Sequence, residues 1–311
     1  MRKRWRVSGV VCVMVASLWA GTARGAQEQK RPDAAAILAS AREALGGEKR
    51  LDAVKNFNAT GRTRKVQGNN LLPVEFELWC ELPDKYARKD EVPAQESGPT
   101  TTGFNGDDLI QVPAPQMPAM PSSGAPAAGR AGAPAPNPAA QVEAMKKGRV
   151  AAAKQDFVRL TLGMFTASFS SYPLTFSYVG QAEAPQGKAD VIEAKGAANF
   201  TVRLFINSQT HLPVMISWST PAPPARMAMI APLQTGAAVG PPGGVAPAMG
   251  SPVAPKPPEF RIYYADYRDA DGLMWPYRLR RATNADTTEE TTFDRFRTNV
   301  KIDPKRFEVV K

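Results

Sequence analysis

The sequence is poor in the residues that build disulfide frameworks, metal sites and catalytic triads. It holds two cysteines, Cys12 and Cys80, and one histidine, His211, among 311 residues. Two cysteines cannot make a disulfide framework, and a single histidine argues against a His-rich metal site and a Ser-His-Asp triad. The G-x-S-x-G, H-E-x-x-H, P-loop and dinucleotide motifs are absent as well. We therefore expect no catalytic residue, no metal and no cofactor, and a protein that is not an enzyme.

Acidic residues are missing from the first 25 positions, which carry five basic ones. A short apolar run covers residues 7–20, and Ala23 and Gly25 place small residues at −3 and −1 of a cleavage point. This succession is typical of a secretory signal peptide. The apolar run is shorter than the roughly 20 residues that span a membrane. We expect cleavage after Gly25, a linker over residues 26–32, and export to the periplasm.

The basic character of the chain depends partly on this N-terminal segment. The whole chain has a formal net charge of +10, with 39 basic and 29 acidic residues. Without residues 1–25 the balance is 34 basic against 29 acidic residues, a net charge of +5. Nucleic-acid binding requires basic residues that are clustered on one face, so we expect no nucleic-acid partner.

Two low-complexity tracts interrupt the rest of the chain. Pro, Ala and Gly supply 21 of the 28 residues at 113–140 and 25 of the 38 residues at 221–258. Such composition lacks the side-chain pattern of a packed core and is typical of disordered or polyproline II segments. The sequence therefore predicts one domain over residues 33–310 with two disordered inserts.

Hydrophobic periodicity predicts helices and strands on either side of the tracts. Helices are expected at 33–45 and 139–165, with a short helical turn at 48–54. Twelve strands are expected at 56–66, 73–82, 85–92, 100–104, 108–112, 174–179, 189–194, 200–206, 213–219, 260–267, 273–282 and 290–301. Nothing alternates strand with helix as a parallel sheet requires. The pattern predicts an α+β fold in which a large curled antiparallel sheet, an unclosed β-barrel of about 11–12 strands, has two main helices capping its concave face.

Two apolar stripes are candidates for the walls of a cavity. Val74, Phe76, Leu78 and Cys80 alternate with three glutamates and Trp79. Period two places the first set on a buried face and the acids on a solvated one. In the long helix the apolar stripe comprises Val142, Met145, Val150, Ala153, Phe157, Leu160 and Met164. An aromatic cluster follows on one hairpin. The candidate ligand-binding residues are Val74, Phe76, Leu78, Phe157, Leu160, Met164, Tyr264 and Trp275. The alternative is that they only fill a core.

Five stretches of the chain, in this order, resemble the periplasmic lipoprotein-carrier superfamily with the LolA/LolB-like fold. They are ALGGEKRLDAVKNFNATGR at 44–62, PDKYARKDE at 83–91, INSQTHLPV at 206–214, DYRDADGLMWPYRL at 266–279 and NVKIDPKRFEV at 299–309. The resemblance covers residues 33–310 without the two tracts. It implies an unclosed antiparallel barrel whose helices cap a hydrophobic cavity.

The resemblance leaves two functions open. Members carry lipoprotein acyl chains between membranes, which implies an acyl chain or a lipoprotein as partner, transient membrane contact and outer-membrane association. Others use the same fold as envelope sensors, which implies an envelope protein as partner and no transported ligand. In either case we expect a monomer.

Export predicts a defined mature N-terminus. N-terminal sequencing of protein recovered from the periplasm should begin at Ala26, because cleavage follows the small residue Gly25. A mature protein that retained Trp5 would contradict the cleavage and the soluble, exported state.

Overall fold

The computed structural model describes residues 33–93, 95–96, 98–114, 138–184, 187–219 and 257–309. The predicted signal peptide and linker and most of the two predicted inserts lie outside the described residues. The described part of the chain belongs to one compact unit.

Within these residues the elements follow the predicted order. The helices are α1 (Ala34–Ala44), α2 (Glu48–Ala53) and α3 (Pro138–Phe165), and a 3-10 helix covers Pro304–Phe307. The strands are β1 (Asn56–Gln67), β2 (Asn70–Glu81), β3 (Lys85–Glu91), β4 (Thr100–Asn105), β5 (Asp108–Val112), β6 (Thr175–Ala184), β7 (Gly187–Lys195), β8 (Thr201–Asn207), β9 (Pro213–Ser219), β10 (Glu259–Ala270), β11 (Leu273–Thr283) and β12 (Asp286–Thr298). Because α3 begins at Pro138, the last three residues of the first predicted insert belong to the helix.

The first helix forms for local reasons. The Asp33 carboxylate accepts a hydrogen bond from the Ala35 N–H at 3.1 Å and so satisfies one of the free amides at the start of α1. Its buried side chains are Ala34, Leu38 and Ala41, which share one face. Gly46 then ends the helix with φ +129°, close against the Gly272 carbonyl, where a Cβ atom would lie only 2.6 Å from that oxygen. Only glycine fits this position.

All twelve strands form one antiparallel sheet. Their order is β5-β4-β3-β2-β1-β12-β11-β10-β9-β8-β7-β6: each strand pairs with the next one in the sequence, except that β5 does not pair with β6, and β1 pairs with β12. The sheet is not closed, because β5 and β6 lie at its two ends. This confirms the predicted α+β fold and strand number. Short hairpins suffice for most connections, as an antiparallel meander requires.

The contacts of α3 require the sheet to curl. Phe157 packs on Phe104 of β4, with 5.5 Å between ring centroids. Two residues later the Arg159 guanidinium lies 4.5 Å from the ring of Trp218 on β9. Seven strand spacings separate β4 from β9, about 34 Å on a flat sheet. Two side chains of a single helical turn can reach both strands only if the sheet wraps around the helix. We call the face that wraps α1 and α3 the inner face.

The main hydrophobic core lies between the inner face and the helices, and a smaller one lies on the outer face. The outer cluster joins Trp79, Ala87 and Ile110 to Ile302 and Phe307 of the C-terminal segment. Trp79 alternates with the inward-facing residues of β2 as the acids do, yet its exposed fraction is only 7%. The C-terminal segment crosses the outer face and covers Trp79, and the Arg306 guanidinium lies 4.3 Å from the centroid of the Trp79 ring.

The apolar stripe of α3 is buried only in part. Val150, Phe157, Leu160 and Met164 are buried as expected, but Met145 is 41% exposed. Residues 143–148 of α3 are exposed, and the first described side-chain hydrogen bond from the helix to the sheet is that of Arg149 to Gln111 of β5. The first turns of the helix therefore precede the packed part.

Residues 220–258 are expected to be dispensable for folding. Ser219 and Glu259 lie directly opposite each other in the β9–β10 ladder. A two-residue Asn-Gly turn fits between such a pair, and loop length changes the free energy of folding little. Replacing residues 220–258 with Asn-Gly should lower the thermal midpoint by less than about 8 °C. A larger loss in a thermal-unfolding comparison with the parent would mean that the segment packs on the sheet.

Candidate functional site

The C-terminal half of α3 is fixed to the sheet through a glycine. The Tyr264 ring lies so close to Gly163 that a Cβ atom there would be 2.1 Å from the ring. The Tyr264 hydroxyl donates a hydrogen bond to the Arg159 carbonyl. The Tyr267 hydroxyl lies 2.9 Å from the carbonyl oxygens of both Gly163 and Pro213. Burial raises the pKa of both tyrosines, so both hydroxyls remain neutral donors.

Arg159 adds a second attachment on the same part of the helix. Its guanidinium lies over the rings of Phe200 and Trp218, and its Nη1 donates to Asp156 at 2.8 Å. Burial lowers the pKa of this arginine, and the nearby Asp156 opposes that shift. The stem of a long basic side chain can cover apolar surface in this way while its charge is satisfied.

All eight residues predicted from the sequence to line a cavity are buried. Seven belong to the main core, and Val74 is buried outside it, opposite Thr63. Trp275 stacks on Phe296 at 4.7 Å and meets Phe165 edge-on at 5.6 Å. The structure thus places residues of α3, β2, β10 and β11 in one core, which contains closely packed aromatic rings.

A pocket of about 510 Å³ lies beside this core, between α3 and the inner face at the β5 end of the sheet. Its size falls within the range of about 300–1,000 Å³ that is common for small-molecule sites. Its lining residues come from β1, β3, β4, β5, α3, β11 and β12: Lys65, Tyr86, Arg88, Asp90, Thr102, Gly103, Leu109, Ile110, Gln111, Arg149, Ala152, Ala153, Asp156, Arg281 and Glu289. None of the eight predicted residues is among them.

Charged groups on the inner face form one wall of the pocket. Arg88 and Asp90 lie opposite Leu78 and Phe76 in the β2–β3 ladder, and residues that face each other across a ladder share a face. The Arg88 Nε donates to Asp90 at 2.7 Å, and its Nη2 donates to the Thr63 hydroxyl at 3.1 Å. Its guanidinium also lies 4.4 Å from the centroid of the Phe76 ring. The charge is therefore held by a carboxylate, a hydroxyl and an aromatic face.

Burial by itself disfavours the charged form of Arg88, yet its pKa is raised because the Asp90 carboxylate stabilises the cation. Lys65 Nζ approaches the other oxygen of Asp90 at 3.5 Å. One carboxylate thus serves two cations, which leaves positive charge on this wall.

The floor of the pocket leads into the main core. Tyr86 lines the pocket, and its ring lies 5.6 Å from Phe157 and 6.2 Å from Phe104. The other apolar lining includes Leu109 and the small side chains of Ala152 and Ala153 on α3. Burial raises the pKa of the Tyr86 hydroxyl, which stays neutral. The site therefore joins a charged wall to an apolar floor.

Hydrophobic periodicity in the sequence could not identify this pocket. In β3 the residues Tyr86, Arg88 and Asp90 face inward, whereas buried Ala87 faces the outer cluster. A strand whose inner face is charged and whose outer face carries a buried alanine shows no apolar alternation. The stretch at 83–91 contains all four residues, but its resemblance to the carrier superfamily assigned no binding role to any of them.

Among the described residues, none of the helices combines the length and the hydrophobicity that a membrane-spanning helix requires. No group of three or more His, Cys, Asp and Glu side chains in that part of the chain is placed to hold a metal ion.

Comparison with known proteins gives structural likenesses only. No protein-family profile and no curated protein sequence matches the chain. A LolA superfamily protein from Nitrosomonas europaea aligns at 14% identity over 89% of this chain and 98% of its own, with a TM-score of 0.48. A domain named as an outer membrane lipoprotein-sorting protein, from Vibrio parahaemolyticus, aligns at 9% identity over 88% and 97%, with a TM-score of 0.44.

A DUF1329 family protein from Desulfovibrio piger aligns at 8% identity over 88% of this chain and 97% of its own, with a TM-score of 0.42. All three likenesses are at 14% sequence identity or less.

The Gly163 contact predicts a large effect of one methyl group. Gly163→Ala should destabilise the fold by about 1–3 kcal/mol or more, because the new Cβ overlaps the Tyr264 ring. Gly148→Ala is the matched control on the same helix: nothing lies within 4 Å of its Cβ position, so it should stabilise the fold by up to about 1 kcal/mol. Urea denaturation measures both, and equal effects would contradict the assigned role of Gly163.

Proposed function

We propose that this protein is an exported, non-enzymatic binding protein that holds the apolar chain of a lipid or acylated protein between α3 and the inner face. The observation that carries the proposal is the pocket under α3, which adjoins the aromatic core through Tyr86. A ligand that enters there meets apolar surface without crossing the sheet.

The attachment of α3 is uneven along its length, and this supports access by way of the pocket. Gly163 and Arg159 fix the C-terminal half to β9 and β10. Towards the N-terminus two cations of α3 make the described side-chain hydrogen bonds to the β5 end of the sheet. Arg149 donates to Gln111 at 3.2 Å, and Lys154 donates to Asp107 at 2.6 Å. Asp107 is almost fully exposed, and exposed ion pairs are weak because water and salt screen them.

Five of the eight residues predicted to bind ligand keep a place in this proposal. Phe157, Leu160 and Met164 face the sheet beyond Tyr86, where Leu78 and Phe76 form part of the same core. An acyl chain that passes Tyr86 would reach these side chains as the N-terminal half of α3 moves outward. The predicted cavity is then the apolar surface of the core that the end of the chain reaches once the N-terminal half of α3 has moved.

Filling the pocket from α3 should test this function. Ala153→Trp places a large side chain in the pocket, and since the space is open the fold should tolerate it. The affinity for a fluorescent long-chain fatty acid should fall by about tenfold or more, as is usual when a pocket wall is blocked. Ala144→Trp, at an exposed position of the same helix, should bind like the wild type.

Fluorescence titration, together with thermal unfolding of each variant, separates the outcomes. Loss of binding in Ala153→Trp with an unchanged midpoint supports the proposal. A wild type that binds no probe at micromolar concentrations contradicts it.

The second candidate, an envelope sensor or interaction protein, is favoured by one observation. Strand β6 lies at an end of the sheet, and Val179 on it is 51% exposed. An edge strand can pair with an extended segment of another protein. The bulge between Tyr178 and Gly180 interrupts that edge, so this candidate ranks second.

A further inference from the structure

The pocket carries more positive charge than its own carboxylates can balance. Its lining includes four cations, Lys65, Arg88, Arg149 and Arg281, against the carboxylates of Asp90, Asp156 and Glu289. Asp156 is already engaged by Arg159, which lies outside the lining. Four cations therefore face two available carboxylates.

The ion pairs inside the pocket show which cations lack a full carboxylate partner. Asp90 is shared by Arg88 and Lys65. Glu289 accepts from the Thr291 hydroxyl at 3.3 Å and lies 3.7 Å from Arg281, a loose ion pair.

Arg149 has no acidic partner among the described residues. Its hydrogen bond goes to the neutral amide of Gln111 at 3.2 Å. Its side chain is half-buried at the margin of the pocket, so its charge is only partly screened by water. A guanidinium in this state has free donors in a planar fork that suits the oxygens of a carboxylate or phosphate.

We propose that this pocket binds the anionic headgroup of an amphiphile, a carboxylate or a phosphate, with Arg149 as its principal contact. The inference rests on the proposed function, since the apolar chain attached to that headgroup would continue past Tyr86 towards Phe157. Lys65 and Arg281 supply the remaining positive field. Arg149 and the charged wall together thus select the headgroup, and the apolar floor accepts any chain of sufficient length.

The experiment compares two fluorescent probes with the same chain and fluorophore, a fatty acid and the corresponding fatty alcohol. The wild type should bind the acid about tenfold more tightly than the alcohol, as expected for a charge-assisted contact. Raising the salt concentration should weaken the binding of the acid more than that of the alcohol.

Arg149→Gln is the decisive variant, because its removal leaves no carboxylate unpaired. It should lose most of the preference for the acid and keep the wild-type affinity for the alcohol, which also shows that the variant is folded. Lys147→Gln, at an exposed position on the same helix, removes an equal charge and should keep the preference.

Inorganic phosphate serves as a third ligand. Weak competition with the acid and none with the alcohol supports a headgroup site. Phosphate that binds as tightly as the acid would overturn the headgroup assignment in favour of a free anion. Equal affinities for acid and alcohol in the wild type would also overturn the inference and leave the proposed function standing. Failure of both probes to bind would overturn the two together.

Discussion

The close approach of Tyr264 to Gly163 is the contact on which the rest of the architecture depends. Only a residue without a Cβ atom lets the ring lie against the helix backbone, and the two tyrosine hydroxyls then reach carbonyls of α3. The helix is thereby held within reach of β9 and β10 at one point and of β4 at the next turn. A twelve-stranded sheet with free ends has no closure of its own to fix its curvature. In this chain α3 supplies that constraint.

The same attachment explains why the pocket lies where it does. Large aromatic rings fill the space next to Gly163, whereas towards the start of α3 the helix presents Ala152 and Ala153. Small side chains on the helix opposite long charged ones on the sheet leave room between them. Burying Arg88 there requires compensation, which Asp90, Thr63 and the Phe76 ring provide together. The charged wall is therefore held in place on the inner face by these contacts.

The sequence was informative where one physical demand dominated each position. Period two in β2 and the apolar stripe of α3 correctly predicted strand, helix and buried face, because burial of apolar area is the largest favourable term in folding. Trp79 and Met145 departed from the pattern for non-local reasons. A segment more than two hundred residues away covers Trp79, and the first turns of α3 precede its contacts with the sheet. No local periodicity carries either piece of information.

The pocket was beyond prediction for a related reason: its residues come from strands at both ends of the sequence, which only the pairing of β1 with β12 brings together.

The free energy of ligand binding limits how far α3 can move. A ligand can displace a helix only if its binding to the open state supplies the free energy that the displacement costs. Burying an eight-carbon chain supplies roughly 6 kcal/mol before the cost of ordering it. Displacing the packed half of α3 would expose Phe157, Leu160 and Met164 together, at about 1.5–3 kcal/mol for each large apolar side chain. That sum, about 4.5–9 kcal/mol, is comparable to what the chain supplies before its ordering cost is deducted, whereas the weakly held N-terminal half can move for much less. Opening by a hinge that leaves Gly163 in place is therefore the motion that a single acyl chain can sustain.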